Sequence, residues 1–91
     1  MKVHELKSRP DAFVAQLEGE KTYEIRVNDR NFQVRDILWL REWSTLGGYS
    51  GVELYRRVVH MTPGGEFGLP ENLCVMGTNP VPVQEILELP L

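Results

Sequence analysis

Ninety-one residues with 42% hydrophobic and 25% charged side chains describe one small globular domain, and 10 Lys+Arg against 13 Asp+Glu leave a net charge of −3, without the basic excess of a dedicated nucleic-acid binder. The longest apolar run, Ile37-Leu38-Trp39-Leu40, is far below the roughly 18 residues that argue for a membrane span, and Met1 to Glu5 reaches an acid without the apolar stretch of a secretory signal. Cys74 stands alone, which excludes an intrachain disulfide and fits a reducing cytoplasm.

Val3–Lys7 alternates weakly, as a short strand does. Ser8-Arg9-Pro10-Asp11 reads as a helix start with Pro10 in the first turn. Phe13, Val14 and Leu17 form one apolar stripe, and Gly19 supplies the left-handed residue of a helix stop, so Pro10–Glu18 is a short helix docked through that stripe. From Thr22 to Asn28 the period is two. Tyr23, Ile25 and Val27 make the buried set, and Thr22, Glu24, Arg26 and Asn28 the polar face. Asn28-Asp29-Arg30-Asn31 is a polar turn. Phe32 and Val34 lead into a strand at Ile37–Trp43, with Leu38 and Leu40 on one face and Ile37, Trp39, Arg41 and Trp43 on the other. Apolar groups on both faces fit a strand covered on two sides or curling into a barrel.

Ser44–Gly51 is a glycine-rich hairpin loop, Val52–Thr62 the return strand, and Pro63-Gly64-Gly65 its end. Leu73–Gly77 is one more strand. Residues 78–91, with Pro80, Pro82 and Pro90, form an extended tail carrying a short helical stretch at Gln84–Leu89. The expected architecture is α+β, mainly β: a small barrel of about five or six strands over residues 1–77, with one short helix after the first strand.

The most informative segment for chemistry is Gly19-Glu20-Lys21-Thr22-Tyr23-Glu24-Ile25-Arg26. It places Glu24 and Arg26 on one strand face and Lys21 at the helix–strand junction. A carboxylate beside two cations either forms an ion pair on the barrel exterior or binds a base edge and a phosphate. Trp39 and Trp43 share a strand face, where packing is the commoner use and stacking on bases the alternative. Tyr23 belongs to the buried set. His4 and His60 lack partners at ligand spacing, so no metal site is expected, and no motif asks for a cofactor. Cys74, between Leu73 and Val75, reads as a small buried hydrophobe. All ten bases lie between Lys2 and Arg57, whereas Val58–Leu91 holds four acids and no base, a surface that a protein partner could use.

The spacing Gly19-x-Lys21-x-x-Glu24-x-Arg26 resembles the signature of the ASCH domains, a branch of the PUA-like β-barrels. His4-Glu5-Leu6-Lys7, Asn28-Asp29-Arg30, Phe32-x-Val34-x-Asp36-x-Leu38 and Glu66-Phe67-Gly68-Leu69 extend the resemblance to an uncharacterised ASCH-related family often seen in phage genomes, over residues 3–77. One departure is visible: Arg35 stands where that family usually has glycine, and a turn needing positive φ there would strain it.

The resemblance implies a PUA-like barrel with a cleft between the helix and the barrel mouth, binding RNA or a modified nucleotide. Lys7, Lys21, Glu24 and Arg26 would line the cleft. Lys7, Lys21, Arg26 and Arg30 would engage phosphate, and Glu24 would accept hydrogen bonds from a base or orient Lys21. His4 and Arg30 match the narrower family, in which no role is established for them. Some ASCH relatives hydrolyse acylated cytidines through the motif lysine, a threonine and a glutamate. Lys21 matches that lysine and Glu24 occupies the threonine position, so the implied alternative is a small amidohydrolase using Lys21 and Glu24.

Overall fold

Alternation along Val3–Ser8 builds strand β1 and turns His4, Leu6 and Ser8 inward. The computed structural model describes residues 1–90 and continues with helix α1 (Pro10–Leu17), strands β2 (Tyr23–Val27), β3 (Ile37–Ser44), β4 (Gly48–Thr62) and β5 (Leu73–Pro80), and helix α2 (Val83–Ile86). All five strands share one sheet in the order β1-β3-β4-β5-β2. β1 runs parallel to β3, because α1 and β2 carry the chain back between them, and every other neighbouring pair is antiparallel.

β4 is the spine of this sheet. Gly48–Arg57 pairs with β3 and Arg56–Thr62 with β5, with a register shift between Val58 and His60. Such a shift bends a strand and increases its twist. The sheet therefore curls until its two edges, β1 and β2, face one another. There the ladder stops. Among the described residues no backbone pairing joins β1 to β2, so the expected barrel is a curled half-barrel, open along one seam. Side chains cross that seam instead. Arg26 Nη2 donates to the Lys7 carbonyl at 2.8 Å, and Arg30 Nη1 to the Glu5 carbonyl at 2.7 Å. Two guanidinium groups thus occupy edge carbonyls that would otherwise invite a foreign strand.

Leu6, Phe13, Phe32, Leu38, Leu40, Val58, Cys74 and Met76 fill the hollow, with α1 laid across it through Phe13. Two faces run opposite to expectation. On α1 the buried pair is Phe13 and Gln16, with Val14 and Leu17 exposed. On β2 Glu24 is inside at 4% exposure, whereas Tyr23 and Ile25 are 45% and 50% exposed. The cause is one contact. Gln16 Nε2 donates to Glu24 Oε1 at 2.7 Å, so two polar side chains satisfy each other in positions that pattern reading reserves for apolar ones. Tyr23, Ile25 and Val27 then take the outer face of an edge strand.

The hairpin is tighter than the glycine-rich segment implies, with Ser44 already paired to Gly48. Trp39 packs on the outer face, its ring parallel to Tyr55 at 6.0 Å and its Nε1 donating to Glu53 at 2.9 Å. β5 runs on to Pro80, with Thr78 buried, and Val81 is buried beyond it. The short helix spans Val83–Ile86 rather than Gln84–Leu89, and Glu85 pairs with Arg57. No helix among the described residues is long and apolar enough to cross a membrane. Arg35 has φ +82°, the left-handed conformation that glycine would adopt freely.

Candidate functional site

The helix stop positions the site. Gly19 takes φ +79°, and the N–H groups of Glu20 and Lys21 both donate to the Ala15 carbonyl, at 2.9 and 3.0 Å. This wraps the chain tightly around the helix end and delivers Lys21 to the start of β2. Three donors then converge on Glu24. Gln16 reaches Oε1, while Arg26 Nε and Lys21 Nζ lie 3.3 and 3.6 Å from Oε2.

Above this carboxylate, between the end of β1, the start of α1 and β2, opens a cavity of about 340 Å³ lined by Ser8, Arg9, Lys21, Glu24 and Arg26 among others. A second cavity of about 400 Å³ continues along the seam and is lined by Leu6, Asp29, Arg30, Phe32 and Leu73. Ile25 and Arg26 line both. Their polar accounting is incomplete. Ser8 Oγ, in the wall of the first cavity, and Gln16 Oε1, beside Glu24, are buried without a hydrogen-bond partner among the described residues. Native proteins rarely leave such atoms idle.

Of the residues singled out from sequence, Lys21, Glu24 and Arg26 come together here, and Arg30 stands at the second cavity. Lys7 also lines the first cavity; its carbonyl accepts from Arg26, and its ammonium lies 4.4 Å from the centre of the Trp43 ring. His4 is in the interior away from the first cavity. Its Nε2 is 2.8 Å from Asp36 Oδ2, and its ring meets Phe32 edge-on at 4.7 Å. Burial pushes the Asp36 carboxyl up, but the hydrogen bonds from His4 and from the Lys2 and Gln33 N–H groups outweigh it and hold the group below its ordinary range. His4 and Asp36 therefore clamp the turn before β3 onto β1. Cys74 is fully buried, and burial pushes its thiol up, so it is not poised as a nucleophile. No three His, Cys, Asp or Glu side chains gather at metal-binding geometry among the described residues.

Sequence reading missed Gln16, Ser8 and Asp29. Gln16 lies three positions after Phe13 on the same helix face, and Ser8 is in phase with Leu6, so both inward orientations were available from spacing.

Residues 3–78, which include all of these site residues and four of the five strands entire, match a family model described as a domain of unknown function, DUF3850. The chain belongs to this family. A second relative is an uncharacterized 12.9 kDa protein in the GpA 3′ region of Escherichia phage P2, 38% identical over 61 residues. That stretch is 67% of this chain and 55% of the phage protein, so the match spans about half of the relative's length. The domain family and its phage relative agree with the uncharacterised, phage-associated family expected from the motifs.

Proposed function

We propose that the seam cleft binds RNA or a nucleotide. The observation that carries this reading is the Glu24 carboxylate, 4% exposed, at the foot of an open cavity whose rim is cationic and whose wall holds an idle hydroxyl. An ordinary surface ion pair needs neither the burial nor the cavity. In the proposed complex Glu24 accepts hydrogen bonds from a base edge, Ser8 adds one more, and Lys21 and Arg26 meet phosphate. The resemblance of Gly19-x-Lys21-x-x-Glu24-x-Arg26 to the ASCH signature supports the same reading, and the curled five-stranded sheet supports a PUA-like ancestry.

Fluorescence anisotropy with labelled short single-stranded RNAs tests it. Affinity is expected to fall with added salt, because phosphate contacts release counterions. The double variant Lys21→Ala, Arg26→Ala is expected to bind at least about tenfold more weakly. Salt-independent binding, or unchanged affinity in the double variant, removes the cleft from consideration.

Lys21 and Glu24, 3.6 Å apart, line one cavity with Ser8, an arrangement that also admits hydrolysis of an acylated cytidine. Incubation with N4-acetylcytidine is expected to release no acetate. Release that disappears in Lys21→Ala would replace the binding reading with the enzymatic one.

A further inference from the structure

Arg26 and Arg30 repeat one arrangement along the seam. Each lays its guanidinium on an outward carbonyl of β1, Arg26 on Lys7 and Arg30 on Glu5. Those carbonyls are two residues apart on one strand edge, so the anchoring points are separated by about 6.6–6.8 Å. That is close to the spacing of successive phosphates in an extended single strand. A guanidinium has five N–H donors. Arg26 commits one to Lys7 and one to Glu24, and Arg30 commits one to Glu5, so both keep donors for an anion. Because the carbonyl anchors already fix the side chains, little ordering is left to the moment of binding.

The cavities repeat as well. The first holds an acceptor carboxylate, Glu24, beside Arg26, and the second holds Asp29 beside Arg30 with an apolar lining of Leu6, Phe32 and Leu73. Each is in the size range of a small-ligand pocket, and Ile25 and Arg26 line both. One cavity would suffice for a mononucleotide. Two, each with its own arginine on carbonyl anchors spaced like successive phosphates, make a pair of successive subsites.

We propose that the seam takes two consecutive nucleotides of a single strand, one base in each cavity, with their phosphates on Arg26 and Arg30. This rests on the reading of the cleft as an RNA or nucleotide site and specifies its ligand as an oligonucleotide. A duplex is excluded by the geometry, since a base reaches either cavity only when unpaired and splayed from its neighbours.

The test compares mixed-sequence 5′-phosphorylated mononucleotides, dinucleotides and trinucleotides, in ribose and deoxyribose forms, by titration calorimetry. The dinucleotides are expected to bind about tenfold more tightly than the mononucleotides, as a further phosphate contact and a further base contact together allow. The third nucleotide is expected to add less than about twofold. Arg30→Ala should abolish the gain from the second nucleotide, lowering dinucleotide affinity more than mononucleotide affinity, and Arg30→Lys should restore part of that gain through its charge. A preference for ribose identifies RNA as the ligand, and equal binding assigns the site to single strands of either sugar. Equal affinity for mononucleotides and dinucleotides, or an Arg30→Ala loss that is the same for both, overturns the two-subsite proposal while the binding site stands. No binding at any length overturns the underlying reading too.

Discussion

Replacing Glu24 by Gln is the sharpest test of whether the cleft is an organised interior site or an exterior ion pair. The substitution keeps size and leaves an amide oxygen to accept from Gln16, 2.7 Å away in the native protein. It removes the charge that faces Arg26 Nε at 3.3 Å and Lys21 Nζ at 3.6 Å, and turns an N–H₂ group toward those two donors. A hydrogen bond to a charged partner contributes about 1.5–3 kcal/mol, and removing one member of a buried pair costs about 3–5 kcal/mol when the other stays dry. Lys21 and Arg26 keep 19% and 25% of their side-chain surface in solvent, so both can partly rehydrate and the lower range applies. The expected loss is about 1.5–3 kcal/mol, or roughly 6 °C or more in Tm for a domain of this size. A domain with about 5–10 kcal/mol of stability survives that loss, so the variant folds and can be measured. Urea unfolding with linear extrapolation gives the number. A loss below about 0.5 kcal/mol is what an exposed pair would show, and it would refute the interior site.

Substitutions at two other positions test the turn before β3. Arg35→Gly should stabilise the protein by about 1 kcal/mol, since relief of a φ of +82° outweighs the entropy of glycine, while Arg35→Ala should leave the strain in place; a thermal melt of Arg35→Gly at or below the parent value would refute this. Asp36 has its carboxyl held low in the folded protein, so its contribution is complete above the unfolded-chain value of about 3.9 and is lost as pH falls through the lower folded value. Asp36→Asn should therefore lower stability at neutral pH and flatten the acid limb below about pH 4, whereas parallel acid limbs for the two proteins would remove the clamp from that role.

Most elements were legible because their local signals agreed with their tertiary surroundings. Pro10 and Gly19 bracket α1, and the Leu38/Leu40 phase of β3 is the interior phase. β2 and the inner face of α1 were misread, and for a definite reason. Hydrophobic periodicity assumes that polar side chains seek water, and Gln16 and Glu24 find each other instead. The same contact that defeated the pattern builds the floor of the cleft, so the error in phase and the candidate site share one cause. The open seam was hidden for another reason. Barrel closure is a property of strand order and curvature, and no residue of β1 announces that its outer edge will meet arginines rather than a strand.

The net charge of −3 argued against a nucleic-acid ligand, and the distribution of charge in space answers that argument in measurable form. Lys7, Arg9, Lys21, Arg26 and Arg30 line the seam cavities against Glu24 and Asp29, whereas Glu85 on the C-terminal helix is occupied by Arg57. The cavity linings hold more cations than acids, but only a few cations supply that excess. A protein that coats nucleic acid with a broad basic face would release many counterions. Two phosphates on Arg26 and Arg30 release few, and a single strand gives a slope of log affinity against log salt of about −0.7 per phosphate, hence roughly −1.4 in all. Binding of a single-stranded oligonucleotide long enough to condense counterions, measured from low to physiological salt, should give that shallow slope, falling to about −0.7 in Arg30→Ala. A slope near −4 would require contacts well beyond the seam and would refute recognition by these two arginines alone.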